Sequence, residues 1–235
     1  MNIVEQSIEL LKEIDGEEIL WTIEAACRCC YKSEGKNAEH DPKKRDVLIR
    51  AAVKRGHTSV LEHASVTFRV ITNRGVSHEW VRHRVACSYS QESTRYCNYG
   101  HAEGIGVIWN EKLGEMPSAA TVAEWNTIGW AWQELYAANP IMANWVKANL
   151  DAEWHYLEAL SLGWKPEDAR DHLPNCLKTE MIVTMNPVSL RHFLTLRCTE
   201  QAHYQIAALA KSMLIILHEK IPIIFDDLYE RFLKG

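Results

Sequence analysis

The sequence predicts an α+β fold, in which many helices pack around a mixed or antiparallel sheet of a few strands. Apolar residues make up 47% of the 235 residues, which is enough for a full hydrophobic core. Most long segments have the apolar spacing of helices, and only a few short segments alternate as strands do. The strands do not alternate regularly with helices, which argues against a parallel βαβ sheet. The length fits a single domain over residues 1–235.

Apolar residues recur at helical spacing in most of the longer segments. Asp15-Gly16 interrupts the first two of these segments, and Pro42 and Gly56 mark the start and the end of the third. A helical elaboration is predicted over residues 111–162, where a Trp- and Ala-rich stretch from residue 117 forms two helices broken near Asn139-Pro140. The other predicted helices span residues 3–12, 17–31, 42–55, 75–85, 202–218 and 223–233.

Two segments have the alternation that is typical of strands. In "ASVTFRVI", which begins at Ala64, every second residue is apolar or small and the residues between them are mostly polar, so a half-buried strand is predicted. "MIVTM" at residues 181–185 predicts a second strand, and "GIGVIW" at residues 104–109 a shorter one. Pro187 follows the second strand and predicts the first turn of the next helix.

The net charge, the lengths of the apolar runs and the cysteine count argue against several classes of protein. A net charge of −5 argues against a general nucleic-acid binder, which needs a basic face to displace counterions. The acidic N-terminal segment lacks the basic start of a signal peptide, and no stretch approaches 18 apolar residues, so no membrane association is expected. Seven cysteines without a secretion signal indicate reduced thiols and a cytoplasmic location.

The segment "RHRVACSYSQESTRY", residues 82–96, concentrates positive charge and hydroxyl groups in an acidic chain. Guanidiniums, hydroxyls and free backbone N–H groups suit a phosphate. Arg82, His83 and Arg84 cannot share one face of a helix, where neighbours are about 100° apart, and on a strand His83 would oppose the other two. The triplet therefore addresses two ligands, or one ligand and a structural partner. A solvated basic loop is the alternative, and His83 has no neighbouring ligand at metal-binding spacing.

"GHTSVLEH", residues 56–63, contains His57, Glu62 and His63. The two histidines would lie about 120° apart around a helix, which does not suit one metal ion. A turn capped by Thr58 or Ser59 is the simpler interpretation.

A third segment follows Pro187. Leu190, Phe193 and Leu194 form an apolar stripe at helical spacing, and Arg197 continues that stripe. An unpaired buried guanidinium is costly, so either an internal salt bridge or an entering ligand is expected there.

Taken together, these three ordered segments resemble the flavin-dependent thymidylate synthases. The matching motifs are Arg82-His83-Arg84 with the ending Ser93-Thr94-Arg95-Tyr96, the segment 56–63, and Asn186, Ser189-Leu190 and Leu196-Arg197. "ARDHLP" at residues 169–174 resembles another arginine-containing turn of the family, and the likeness extends from about residue 20 to residue 220. Eight residues separate the triplet from Ser93 where the family has seven, and Glu79 stands where Gln is common.

The resemblance implies one catalytic domain over residues 1–235 that assembles as a homotetramer and binds FAD. It implies reductive methylation of dUMP to dTMP, with methylenetetrahydrofolate as carbon donor, NADPH-reduced FAD as hydride source and no enzymic nucleophile. Two alternatives stay open. One is a cysteine-dependent nucleotide methylase, for which Cys87 is the thiol nearest the motif; the other is a non-catalytic nucleotide-binding module.

The resemblance also implies site residues. Arg197 is the implied catalytic residue, since a fixed cation at the uracil ring favours the negative charge that develops there. The residues implied for FAD binding are Ser59, Arg82, His83, Arg84, Gln91, Asn186 and His192. The residues implied for dUMP binding are Glu79, Arg82, Gln91, Glu92, Ser93, Thr94, Arg95, Arg170 and Arg197. No metal ligand is implied.

Overall fold

The computed structural model describes residues 1–30, 32–33, 41–100, 104–127 and 131–234. In these ranges the helices are α1 Gly16–Cys30, α2 Pro42–Lys54, α3 Arg74–Trp80, α4 Ala119–Thr127, α5 Ala131–Ala138, α6 Pro140–Ser161, α7 Pro166–Ala169, α8 Pro187–Arg197, α9 Tyr204–Lys220 and α10 Pro222–Tyr229. The strands are β1 Asn2–Val4, β2 Ser7–Leu10, β3 Val66–Asn73, β4 Cys87–Gln91, β5 Gly106–Ile108 and β6 Lys178–Met185. This mixture of helices and strands confirms the predicted α+β class.

The strands form two sheets. In the smaller sheet β1 and β5 run parallel, with Asn2 opposite Gly106 and Val4 opposite Ile108. The larger sheet has four strands in the order β2-β3-β6-β4. Burial alternates along β3 and β6, as the sequence pattern predicts for half-buried strands.

The chain divides into two compact units. Unit 1 comprises Met1–Ser7, Ile71–His78 and Gln91–Met181, and unit 2 comprises Ile8–Val70, Glu79–Ser90 and Ile182–Gly235. The core of unit 1 includes the buried side chains of Met1, Ile105, Val107, Val146 and Leu177. Unit 2 buries apolar residues from its helices and from β3, among them Ile23, Ile49, Phe68, Phe193, Leu214 and Phe225.

Two of the predicted helix starts follow the same local chemistry. At α2, the side chain of Asp41 accepts a hydrogen bond from the backbone N–H of Lys43, and Pro42 occupies the first turn. At α8, the side chain of Asn186 accepts a hydrogen bond of 2.8 Å from the backbone N–H of Ser189, and Pro187 follows the cap. Both helices begin at the proline that the sequence indicated.

Three predictions of local structure were wrong. The helix predicted over residues 3–12 is replaced by β1 and β2, because the apolar residues there also fit a two-residue period and Leu11 donates its backbone N–H to Thr67. The helix predicted over residues 75–85 ends at Trp80. Residues 117–162 contain α4, α5 and α6 instead of two helices, although the break at Asn139-Pro140 is confirmed. Residues 31 and 128–130, which fall in predicted helices, lie outside the described ranges.

Among the described helices, none combines the length and the apolar character that a bilayer crossing requires. All seven cysteines fall in the described ranges, and each is a free thiol.

Candidate active site

The Arg82-His83-Arg84 triplet lies in a turn between α3 and β4, and therefore on neither a helix nor a strand. The Tyr89 hydroxyl fixes this turn by donating to the carbonyls of Trp80 and His83, at 2.9 and 2.6 Å. His83 is buried, whereas Arg82 and Arg84 are exposed. The three side chains consequently occupy different environments, in keeping with the expectation that they serve more than one partner.

The next residues of the turn are held against α8. The Ser189 hydroxyl donates to the Val85 carbonyl at 2.6 Å. Ala86 has a φ of 51°, in the left-handed region that residues with a Cβ avoid. The bond from Ser189 helps to maintain this strained backbone and joins the turn to the helix that carries Arg197.

A cavity of about 480 Å³ opens between this turn and α8, within the size range of small-molecule sites. Within the described part of the chain, no carboxylate pairs with the guanidiniums of Arg82 and Arg84. Two available cations beside apolar Val188 and Leu196 suit a ligand that has both an anionic group and a flat ring system. The cavity is lined by Arg82, His83, Arg84, Val85, Cys87, Val188, Ser189, His192, Leu196 and Arg197.

Arg197 is fixed in place by three hydrogen bonds at the end of α8. Its Nη1 donates to Glu79 Oε2 at 2.8 Å, its Nη2 to the Glu79 carbonyl at 3.2 Å, and its Nε to His83 Nε2 at 3.0 Å. The Arg197 side chain is 19% exposed, so it is half-buried and not fully on the buried stripe. The sequence left open whether Arg197 pairs with an internal carboxylate or with an entering ligand. The structure contains the internal salt bridge, to Glu79.

His83 accepts a hydrogen bond at Nε2, which requires that this nitrogen carries no proton. Burial, with smaller contributions from the charges of Arg197 and His192, lowers the His83 pKa from 6.5 to about 4. His83 is therefore neutral near pH 7 and adds no second positive charge beside Arg197.

This lowered pKa predicts a pH-dependent stability. Unfolded His83 takes up a proton near pH 6.5 and folded His83 only near pH 4, so the folded state loses stability as the pH falls through that window. The loss amounts to about 3 kcal/mol from this group alone. We expect His83→Asn to remove that part of the pH dependence in urea unfolding between pH 7.5 and pH 4.5. His57→Asn, at an exposed histidine of the same unit, is the control. Equal pH dependence in wild type and His83→Asn would contradict this account of His83.

The predicted dUMP residues of unit 1 lie around β4 and α7. Arg95 donates from Nε to Glu167 Oε2 at 2.8 Å, and its guanidinium lies 5.3 Å from the centre of the Tyr96 ring. The hydrogen bond from Arg95 is the main reason that the pKa of Glu167 is lowered. Arg170 is exposed, and among the described residues it has no side-chain partner. Of the two unit 1 arginines predicted to bind dUMP, Arg95 therefore pairs with a carboxylate and Arg170 does not.

Other predicted residues of unit 1 already have protein partners. Glu92 accepts from Lys178 Nζ at 2.9 Å and from the Tyr99 hydroxyl at 2.7 Å. Gln91 donates from Nε2 to the hydroxyls of Ser77 and Thr179, at 2.8 and 3.1 Å.

Ser93 accepts from the backbone N–H of Arg95 at 3.3 Å, and Thr94 is buried. The hydrogen bond to Ser93 helps to fix the shape of the segment that carries Arg95.

Three residues implied for FAD binding, Ser59, Gln91 and Asn186, do not line the cavity. Ser59 is exposed in the helical turn Thr58–His63, which begins without a side-chain cap, so the capping role considered for this segment is absent. Asn186 caps α8.

The motifs assigned no site role to four cavity residues, Val85, Val188, Ser189 and Leu196. Of these, Leu196 is recognisable as a cavity residue once the fold is known, because it is an apolar side chain that is 49% exposed next to Arg197. Cys87, indicated by the sequence as the thiol nearest the motif, does line the cavity.

The class of protein follows from these features. An α+β chain with available guanidiniums and apolar side chains around one cavity has the chemistry of a protein that binds an anionic small molecule. Residues 9–223 match the family model described as thymidylate synthase complementing protein, and the chain belongs to that family. The family predicted from the motifs is thereby confirmed.

Curated relatives cover most of this chain. It is 35% identical over 206 residues to the flavin-dependent thymidylate synthase of Geobacter sulfurreducens, covering 86% of this chain and 78% of that one. It is 33% identical over 228 residues to the enzyme of the same name from Mycolicibacterium gilvum, covering 94% of this chain and 83% of that one.

The fold is shared with a solved structure. The crystal structure of the UMP/dUMP methylase PolB from Streptomyces cacaoi, bound with 5-Br dUMP, aligns with a TM-score of 0.74. The alignment covers 99% of this chain and 98% of that chain at 21% identity, a likeness that concerns the fold alone.

Proposed function

We propose that this chain is a flavin-dependent thymidylate synthase. It methylates dUMP to dTMP, with methylenetetrahydrofolate as carbon donor and NADPH as the source of reducing equivalents, and it works as a homotetramer in the cytoplasm. The observation that carries the proposal is the cavity in which Arg82 and Arg84 are available beside a fixed Arg197. The activity named for the curated relatives supports it.

The residues of the cavity fit FAD. The guanidiniums of Arg82 and Arg84 would hold its diphosphate, and the apolar side chains of Val85, Val188 and Leu196 would lie along its ring system. FAD, when bound, supplies the hydride that reduces the transferred carbon.

Arg197 is proposed to stabilise negative charge on the uracil ring. Its contacts with Glu79 and His83 set its orientation before the substrate binds, and a charge that is positioned in advance needs little reorganisation during the reaction. Because His83 is neutral near pH 7, it adds no further positive charge beside Arg197.

Arg95 and Arg170 are proposed to bind the phosphate of dUMP, with help from the Ser93 hydroxyl. Arg95 must then exchange Glu167 for the phosphate. The Arg95 and Glu167 side chains are 56% and 35% exposed, and solvent weakens an exposed ion pair, so this exchange costs little.

The test of the proposal is twofold. The purified protein is expected to carry FAD, identified by its absorbance and by chromatography after denaturation. It is also expected to form dTMP when dUMP, methylenetetrahydrofolate and NADPH are all supplied, and none when any one of them is omitted. A protein that never binds FAD would refute the proposal.

A cysteine-dependent methylase is the second candidate, because Cys87 lines the cavity. Its thiol donates a hydrogen bond to the Val85 carbonyl at 3.2 Å, so it is engaged with the backbone of the turn. Burial raises the pKa of Cys176 and Cys198 to about 11, which makes these thiols poor nucleophiles.

We therefore expect each single Cys→Ser variant, including Cys87→Ser, to retain dTMP formation within about tenfold of wild type. Chromatographic measurement of dTMP checks this, with FAD content and thermal unfolding as controls for folding. Complete loss of dTMP in a folded, FAD-loaded Cys87→Ser protein would favour the thiolate mechanism.

A further inference from the structure

We propose that Glu79 is a positioning residue, which acts on dUMP by holding Arg197 and not by contacting the nucleotide. This inference rests on the proposed function, and it replaces the direct dUMP contact that the family resemblance implies for Glu79.

The geometry points to this role because one residue binds two of the three guanidinium nitrogens. Glu79 lies in the last turn of α3 and Arg197 in the last turn of α8, so the contact joins α8, which lines the cavity, to a residue that does not line it. Glu79 supplies a carboxylate oxygen to Nη1 at 2.8 Å and its own carbonyl to Nη2 at 3.2 Å. His83 accepts from Nε and completes the set.

These bonds leave Arg197 able to bind a ligand. A guanidinium has five N–H donors, and the three hydrogen bonds to Glu79 and His83 use one on each nitrogen. One N–H on Nη1 and one on Nη2 have no partner among the described residues. These two N–H groups are the donors that Arg197 can offer to a ligand.

The charge of Glu79 supports a role in holding, not in contact with substrate. One oxygen of the Glu79 carboxylate already accepts from Arg197, and its negative charge would repel an anion that forms on the ring. Bonds between ionised partners are about twice as strong as neutral ones, so the carboxylate holds Arg197 more firmly than an amide can. The pair is 19% and 31% exposed, so solvent weakens it less than a fully exposed pair.

The experiment is a double-mutant cycle that measures dUMP binding to the FAD-loaded protein by titration calorimetry, without NADPH or folate. We expect Glu79→Ala to weaken dUMP binding about tenfold or more when Arg197 is present, and to have no further effect in an Arg197→Ala background. Glu79→Gln keeps an acceptor in the same place and should restore part of the affinity. Glu219→Ala, at an exposed glutamate of unit 2, is the matched control and should bind dUMP normally.

Other outcomes would overturn the inference. Equal losses from Glu79→Ala in both backgrounds would indicate a direct contact with dUMP. A purely structural role would lower the melting temperature and FAD content of Glu79→Ala, with no partial rescue by Gln.

The calorimetric experiment measures dUMP binding and needs no turnover. A wild-type protein that binds dUMP but makes no dTMP would therefore refute the proposed reaction, while the double-mutant cycle would still test the role of Glu79. A wild-type protein that does not bind dUMP would refute both.

Discussion

Arg197→Ala protein is expected to lose dUMP binding and dTMP formation while it keeps its FAD. The guanidinium that Glu79 and His83 hold in the cavity is the proposed partner of the uracil ring. Removing one charged contact of this type costs about 1.5–3 kcal/mol, which corresponds to a loss of about tenfold to a hundredfold or more in kcat/KM for dUMP. Calorimetric titration with dUMP and a dTMP assay on the same preparation measure the two losses.

Arg197→Lys separates the proposed role from a merely structural one. A single ammonium cannot reproduce the planar fork, so we expect it to rescue only part of the activity. If the salt bridge to Glu79 served only to stabilise the fold, Arg197→Ala would lower the melting temperature and lose FAD together with dUMP. A folded, FAD-loaded Arg197→Ala protein with unchanged dUMP affinity and turnover would refute the assigned role.

Removal of both Arg82 and Arg84 is expected to abolish tight FAD binding. Both guanidiniums line the cavity and lack carboxylate partners among the described residues, so they are available for the diphosphate. Losing two charge-assisted contacts predicts at least a hundredfold weaker FAD binding in the double Ala variant, and about tenfold or more for each single variant. Fluorescence titration of flavin-stripped protein with FAD gives the dissociation constants.

The matched control for this pair is Arg231→Ala, which removes an exposed arginine near the C-terminus, next to Phe232. It lowers the net charge of the chain by the same amount as either single variant but does not touch the cavity. We expect wild-type FAD affinity for it, and a weaker salt dependence of FAD binding in the Arg82→Ala and Arg84→Ala proteins. Unchanged FAD affinity in the double variant would place the flavin elsewhere.

Much of the fold could be predicted because its signals are local. Asp41-Pro42 and Asn186-Pro187 each combine a capping side chain with a proline that starts a helix, and both helices begin there. The alternation of apolar and polar residues in β3 and β6 is a local signal of the same kind, and it predicted both strands. The helix prediction for residues 3–12 was wrong because a short amphipathic segment fits both the helical and the strand period. Its pairing with Thr67 depends on contacts that are distant in sequence.

The site was predictable in its residue types but not in its connections. The motifs indicated Arg82, Arg84 and Arg197, and the structure brings these three together around one cavity. The partners of the arginines could not be foreseen, since Glu79 lies 118 residues from Arg197 in the chain and no local rule joins them.

For the same reason, the pairing of Arg95 with Glu167 across 72 residues emerges only from the folded chain. These long-range pairs determine which of the predicted arginines is already neutralised and which is available to a ligand.

The most direct measurement compares dTMP formation by one preparation of the wild-type protein before and after its flavin is removed, and again after FAD is restored. With dUMP, methylenetetrahydrofolate and NADPH present, we predict dTMP from the loaded protein, none from the stripped protein, and recovery when FAD is added back. Formation of dTMP by flavin-free protein, or failure of FAD-loaded protein to form any, would contradict the proposed function.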